Sequence, residues 1–551
     1  YGEGATGAVV NVVPKKPFEG EIVNHLRLGY GSHDSQQTAL DSGGSLTDSL
    51  SYRLNINQLR SNGWIDHGDS SSTAISAALR WQANDDLAFT LAHDYGDQKP
   101  MNYFGTPLIN GHLRSSLREK NYNISNDKQH YNDQWTRLTT DWQISDTLSS
   151  SNELYYLKAN RRWQNAENYT WDAAGQQLLR SGNYGIKHQQ EQLGDRQTFT
   201  LKHSLFGLDS QTLVGADYNR IRFQLNSNSP FKDSIAGGEP IDLRHPQRSG
   251  FASDSAYRPQ FDSLTHQFAL FAENRLQLTE RLSLVSALRY DHSDFEVTEH
   301  ATRVELDRRW DAFTGRVGLV YDLTDNHALY ASYSQVFKPQ SDTDSNGRVL
   351  KPREGEQYEF GLKSSYFGGD LNTRFSVFRL TDKNRATTVY DADGVATTDS
   401  VASGKTRVKG AEVEVSGKLT PNWELLAGYT WMETETVKGD AETTFFIMPR
   451  NQASLWSKYT ISQGPLTGLA VGGGISAMSN FHSESGGVRI DAPGYATVDA
   501  MLSYPVTSKL TATLNVNNLF DRDYLSRVGS TSTFNFYGPS RSMMVGVRYD
   551  F

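Results

Sequence analysis

The sequence predicts an all-β fold: a 22-stranded antiparallel transmembrane β-barrel with short periplasmic turns and long extracellular loops. Three observations predict it. Apolar residues recur with a period of two almost everywhere, and a helical period is sustained almost nowhere. The connections between these segments alternate between short and long. Aromatic residues make up 11% of a chain that is only 37% hydrophobic, and some stand at both ends of one segment, where the rings of membrane-crossing strands collect.

From the N-terminus, alternating segments lie near 21–31, 36–46, 49–60, 70–82, 85–96, 131–143, 148–163, 188–204 and 210–224. They continue near 264–279, 281–297, 308–323, 326–336, 354–367, 369–383 and 405–417. The last six lie near 421–435, 447–461, 466–480, 493–505, 507–518 and 540–551. The pattern is plain in single segments. Leu510, Ala512, Leu514 and Val516 share one face, with Thr511, Thr513, Asn515 and Asn517 on the other. In the last segment Met543, Val545, Val547, Tyr549 and Phe551 share a face. Such strands need only one dry side.

Short connections include Asn84-Asp85-Asp86, Ser145-Asp146-Thr147, Thr324-Asp325-Asn326, Phe367-Gly368-Gly369-Asp370 and Val506-Thr507-Ser508. Long ones fall near 97–130, 164–187, 225–263, 337–353, 384–404, 481–492 and 519–539. A membrane barrel sorts its loops this way, with tight turns at one rim and long loops at the other. Dimensions agree. Trp423 shares a face with Tyr429 and Trp431, and eight residues tilted by about 40° rise roughly 21 Å, close to an apolar band of about 25 Å. An even strand number puts both chain ends at the short-turn rim.

Composition narrows the function. The balance of 54 basic and 63 acidic residues, net −9, does not favour a nucleic-acid surface. The absence of cysteine excludes a disulfide scaffold, a zinc–cysteine site and a cysteine nucleophile. No run approaches the roughly 18 apolar residues of a spanning helix, and a signal peptide is not expected. Several short patterns read more simply as structure. Gly2-Glu3-Gly4-Ala5-Thr6-Gly7 fits a dinucleotide fingerprint in letters, but the β-type run Ala8–Val13 follows it where a helix is required. Asp342-Thr343-Asp344-Ser345-Asn346-Gly347 begins like a calcium loop, yet its twelfth position is Arg353 rather than a bidentate glutamate. His67 with Asp69, and His482 with Glu484, are scattered loop pairs, and no metal site is expected. Glu412 and Glu414 share a lumen face, where a wet barrel interior ordinarily carries charge. No catalytic motif is present, so an enzyme is not expected.

The chain ends carry a resemblance. Tyr1-Gly2-Glu3-Gly4-Ala5-Thr6-Gly7-Ala8-Val9-Val10-Asn11-Val12-Val13-Pro14-Lys15-Lys16-Pro17 resembles the closing segment of the plug domain of TonB-dependent outer-membrane receptors. Asn515-Val516-Asn517-Asn518-Leu519-Phe520-Asp521-Arg522-Asp523-Tyr524 is similar to that family's penultimate-strand motif, and Gly538-Pro539-Ser540-Arg541 with the last strand matches its closing pattern. In the middle, Tyr333-Ser334-Gln335-Val336-Phe337-Lys338-Pro339 and Leu350-Lys351-Pro352-Arg353-Glu354-Gly355-Glu356-Gln357-Tyr358-Glu359-Phe360-Gly361 resemble the siderophore-receptor branch.

The resemblance implies residues 1–17 as the residual end of a plug and 18–551 as the barrel, with most of the plug and a TonB-contacting segment expected ahead of Tyr1. It implies import of a ferric siderophore at the bacterial outer membrane, with iron carried inside the ligand and no other cofactor. It gives Phe551 the role of signal to the barrel-assembly machinery. Expected partners are the ferric siderophore, the TonB complex through the missing region, outer-membrane lipid and lipopolysaccharide, and a phage or bacteriocin; a monomer is expected. Uptake of haem, cobalamin, a sugar or a non-iron metallophore stays open, as does a passive porin, adhesin or phage receptor. The residues themselves supply an aromatic, donor-rich mouth: Trp64, Tyr103, Phe104, Tyr122, Trp163, Tyr169, Trp171, Tyr184, Phe231, Tyr257, Tyr390, Phe446, Phe481 and Tyr537, with Arg114, Arg244 and Arg385 as cationic contacts.

Overall fold

A computed structural model describes residues 2–3, 11–300, 304–340, 344, 350–390, 396–438, 448–485 and 487–551. Phe446 and the 342–347 loop except Asp344 lie outside the described residues. Of Tyr390 only the backbone is described.

The period-two segments become 22 wall strands. In chain order they are β1 Val23–Gly31, β2 Ser35–Ser45, β3 Leu50–Ser61, β4 Ser70–Asn84, β5 Leu87–Lys99, β6 Lys128–Gln143, β7 Leu148–Asp172, β8 Gln177–Leu205, β9 Leu208–Ser227, β10 Arg258–Thr279 and β11 Leu282–Glu299. The second half is β12 Val304–Thr324, β13 His327–Lys338, β14 Arg353–Tyr366, β15 Leu371–Tyr390, β16 Ala396–Thr420, β17 Trp423–Lys438, β18 Asn451–Thr460, β19 Ala470–Met478, β20 Tyr495–Pro505, β21 Leu510–Asn517 and β22 Ser542–Asp550. Each wall strand pairs antiparallel with its sequence neighbours, and β22 pairs with β1 from His25↔Asp550 to Gly31↔Met544, closing the barrel. The last residue completes the closure. Asn24 and Phe551 exchange two backbone hydrogen bonds of 3.0 Å, while the Phe551 ring stacks on Tyr549 and stays half exposed on the outer wall.

Exposure sorts the two faces as the alternation requires. Leu154 and Tyr156, Phe268 and Leu270, Leu288, Phe313, Tyr358 and Phe360, and Val545 and Val547 are all exposed on the outside. Such side chains would be costly in water and suit hydrocarbon. The inner face carries paired charges: Arg137 with Asp94 at 2.6 Å, Arg289 with Asp217 at 2.8 Å and Asp291 at 2.9 Å, and Arg374 with Glu414 at 2.8 Å. Glu412 and Glu414 therefore belong to an ion-paired rung around Arg374. Lys15 reaches Asp41 at 2.5 Å, so the segment before β1 lies against this inner wall.

Three departures from the expected connections matter. The 164–187 loop is mostly strand: β7 and β8 continue above the wall as a hairpin whose pairing runs to Asp172↔Gln177. The 384–404 connection is shortened in the same way, because β15 runs to Tyr390 and β16 starts at Ala396. The first long-rim connection, residues 32–34, is as short as the turns at the opposite rim. One seam is incomplete. β12 pairs with β11 from Glu299↔Val304 to Leu282↔Tyr321, but with β13 only between Arg316↔Ser334 and Thr324↔His327. Above that point the two strands part, and the two-residue strand Gly2–Glu3 lies parallel to β13, opposite Val336 and Phe337.

Candidate functional site

The long-loop rim is built over one side of the barrel as a packed cap. Five pieces make it: the β5–β6 connection, the β7–β8 hairpin, the β9–β10 connection, the β19–β20 connection and the β21–β22 connection. One apolar cluster joins Phe104, Ile109, Leu117, Tyr122, Tyr169, Leu178 and Ile241, with Trp163 and Trp171 against it. A second joins Leu108, Phe481, Ile490, Ala492, Leu525, Val528 and Tyr537, with Trp64 beside it. Removing rings of this size from water stabilises by about 1.5–3 kcal/mol each. Gly105 shows how close the pieces come: its φ is +81°, and a Cβ there would stand 2.4 Å from the Asn535 carbonyl oxygen.

Buried polar groups lock the cap. Arg180, with a side chain only 1% exposed, donates to the carbonyl oxygens of Tyr122, Asn123 and Gln247 at 3.1 Å each. Its Nη2 also donates to Glu239 at 2.6 Å and to the Ser249 hydroxyl at 2.7 Å. One guanidinium thus ties the hairpin to two other connections, the fork geometry at which arginine excels. Glu167, buried in the same hairpin above the wall, accepts from the Trp163 indole N–H. Burial raises its carboxyl to about 7, partly offset by that bond.

The candidate aromatics therefore divide. Tyr103, Phe104, Tyr122, Tyr169, Phe481 and Tyr537 are buried inside the cap, and Trp171 packs there with its N–H on Asn110. Trp64 meets Tyr103 edge-on. Tyr184 and Phe231 meet edge-on at 4.7 Å, and Phe231 and Tyr257 are about half exposed. Arg114 and Arg244 are exposed on the loops. Arg385 stands apart from both, in a cavity of about 590 Å³ on the inner wall. Phe295 and Trp310, 5.8 Å apart, line that cavity together with Gln267, Lys338, Gln340 and Arg353. Arg353 is paired to Asp382. Sequence reasoning looked only in loops and so missed Phe295 and Trp310. Period two could have found them, because Trp310 has the parity of the inward Arg316. Among the described residues no three His, Asp or Glu side chains come together to hold a metal.

The comparisons agree with this geometry. The sequence profile described as "TonB dependent receptor-like, beta-barrel" matches residues 58–519; the chain belongs to that family. It is 27% identical to the metal-pseudopaline receptor CntO of Pseudomonas aeruginosa, over 96% of this chain and 75% of that protein. It is 27% identical to the ferripyoverdine receptor of the same species, over 100% of this chain and 68% of that protein, and 26% identical to the ferrichrome outer membrane transporter/phage receptor of Escherichia coli, over 98% and 75%. Among solved structures, the ferripyoverdine receptor of Pseudomonas aeruginosa bound to ferripyoverdine superposes with a TM-score of 0.85 at 24% identity, covering 98% of this chain and 72% of that one. The siderophore receptor PiuA of Acinetobacter baumannii gives 0.86 at 19%, covering 100% and 84%. The chain is an outer-membrane receptor barrel and not an enzyme.

Proposed function

We propose that this receptor takes up a ferric siderophore by TonB-dependent transport. The observation that carries it is the inner-wall cavity, which sets aromatic faces (Phe295, Trp310) beside the cations Lys338, Arg353 and Arg385. Aromatic walls with a few fixed donors suit a bulky chelate, and guanidinium groups suit a chelate whose oxygens carry negative charge. Ferric chelates are the named cargo of relatives that span almost all of this chain. Phe231 and Tyr257 supply exposed rings for first capture, with the half-buried Tyr184 packed edge-on against Phe231, and with Arg114 and Arg244. Trp64, Tyr103, Phe104, Trp171, Phe481 and Tyr537 hold the cap, and Tyr390 and Phe446 belong to the mouth by sequence. Residues 1–17 are read as the exit of an internal plug domain that carries the contact to TonB, Phe551 as the signal to the assembly machinery, and the loops as a landing surface for a bacteriocin, as in the neighbour solved with pyocin S2.

Titrating purified receptor with ferric siderophores tests this by quenching of tryptophan emission. One chelate class should quench saturably, and a strain lacking the receptor should grow poorly on that class alone. Equal growth on every chelate would sink the reading. The metal-pseudopaline relative favours one alternative, a non-iron metallophore. Loading a single chelator with Fe(III) and then with Ni(II) or Zn(II) separates the two.

A further inference from the structure

The inner-wall cavity owes one of its cations to a fault in the sheet. Along most of β15 the odd-numbered side chains face outward, as the exposed Phe375 and Val377 show. The even-numbered ones face the lumen, where Arg374 pairs with Glu414 and Asp382 with Arg353. Lys383 keeps to this alternation. It pairs at 2.5 Å with Glu356, which shares a face of β14 with the exposed Tyr358 and Phe360. By the same alternation Arg385, two residues on, belongs outside, yet it lines the cavity.

The cause is a β-bulge. From Asp382↔Thr406 to Arg385↔Gly404 the chain takes three steps on β15 and two on β16. One extra residue in a strand reverses the facing of the residues that follow it. Just above, β16 carries an extra residue of its own, Ser403, and pairing resumes at Ala386↔Ala402. Gly404 has the parity of the inward Glu412 and marks the reversal. A Cβ at Gly404 would stand 2.8 Å from the Arg385 Cβ and 3.1 Å from the Thr387 Oγ1, so both side chains leave on its side and the glycine gives them room.

The bulge is held from outside the ladder. Asn384 takes the left-handed conformation, with φ +60°, which asparagine tolerates and β-branched residues resist. Its Nδ2 donates to the Pro352 carbonyl oxygen at 3.3 Å, and its own carbonyl oxygen accepts from Gln340 Nε2 at 2.7 Å. Gln340 also donates to the Lys351 carbonyl oxygen. Both ends of the β13–β14 connection, next to Lys338 and Arg353, are thereby clamped to the bulge.

We propose that the Lys383–Asn384 bulge is a specificity device: it turns Arg385 from the outer wall into the cavity, where its guanidinium meets an anionic ferric chelate. Asn384 and Gln340 are positioning residues. The inference rests on the reading of this cavity as the chelate site. Without the bulge Arg385 would stand outside beside Lys383, and the cavity would lose a charge that selects anionic over neutral cargo.

Three changes in the full-chain receptor test it. N384V sets a β-branched residue against the left-handed conformation, and N384G keeps that conformation without the bond to Pro352. Deleting Asn384 removes the extra residue, and simple alternation then brings Arg385 inward again. Orientation is read without any chelate: the chain has no cysteine, so R385C/W310C and K383C/W310C are treated with a short bismaleimide. R385C/W310C should cross-link in the parent, N384G and deletion backgrounds and fail to do so with N384V; K383C/W310C should not cross-link in the parent. Affinity is read by tryptophan quenching with an anionic ferric tris-catecholate and a neutral ferric tris-hydroxamate. N384V should weaken catecholate binding about tenfold, the scale of one charged hydrogen bond, and leave hydroxamate binding within about twofold. The deletion should return catecholate binding to within about threefold of the parent, a rescue that mere destabilisation would not give. Heat-shifted mobility in detergent gels shows that each variant is folded. Cross-linking retained in N384V, a deletion no better than N384V, or equal weakening of both chelates would each overturn the device. The expected cross-links with neither chelate bound would instead overturn the reading of the cavity as the chelate site.

Discussion

Replacing Arg180 by methionine keeps most of the side chain's length and deletes every donor that joins three connections of the cap. The substitution leaves Glu239, the carbonyls of Tyr122, Asn123 and Gln247, and the Ser249 hydroxyl without that partner. Breaking one member of a buried, hydrogen-bonded charge pair typically costs about 3–5 kcal/mol. The wall ladders do not depend on Arg180, so the loss falls on local opening of the cap. At about 1.4 kcal/mol per tenfold change, amide exchange should quicken between roughly a hundredfold and a few thousandfold in the cap. Hydrogen exchange of R180M, read by mass spectrometry, should show this over 102–124 and 239–250, with 208–222 in the wall unchanged. Cap exchange within threefold of the parent would refute the argument. Equal acceleration in the wall would refute it too, because Arg180 would then support the barrel as a whole. E239Q, which keeps an acceptor but not the charge, should give a smaller change.

Glu167 makes the cap sensitive to pH. Its folded value of about 7 lies above the ordinary 4.5, so the folded cap binds the proton more tightly and is most stable at low pH. Stability should fall as pH rises from about 4.5 through 7, by up to about 3 kcal/mol; E167Q should abolish the difference in cap exchange between pH 5.5 and 8. R385E reverses a charge in the inner-wall cavity and should weaken binding of an anionic ferric chelate by at least about tenfold, the scale of one charged hydrogen bond, in the quenching titration. Unchanged affinity would move the ligand elsewhere. W310F should remove much of the quenching amplitude while leaving affinity within a few-fold, since an aromatic face remains. F551S should lower the amount of heat-shifted, assembled receptor in outer-membrane fractions; full assembly would remove the signalling role from the terminal ring.

The barrel was legible because its physics is local to each strand. One face meets apolar surroundings and the other does not, and this writes a period of two into β21 and β22 that no soluble context is needed to explain. The β7–β8 extension was not legible, since the cap buries both faces of the hairpin. Ala166 and Leu178 then alternate with nothing, and Asn165, Glu167 and Arg180 are buried through hydrogen bonds. The candidate site was half legible. Tyr184 and Tyr103 look alike in a list of loop aromatics, but one is accessible and the other is packed under neighbours more than 400 residues away in sequence, such as Phe536. Arg385 was found because the alternating segment read from the sequence stops near 383, although the strand itself runs on past it to Tyr390. Trp310 was overlooked because it stands inside such a segment.

The parting of β12 from β13 changes what kind of container the upper barrel is. Below Arg316 the wall is a hoop, and widening it means breaking a row of hydrogen bonds. Above Arg316 it is a collar with a slit, bordered along β13 by the two-residue strand Gly2–Glu3, and its circumference can change while the wall ladders on either side stay intact. The cavity spans that slit: Phe295 and Trp310 stand on one lapel, Lys338, Arg353 and Arg385 on the other. A guest held by both sets of residues would therefore act as the button of the collar, its size setting the width of the mouth.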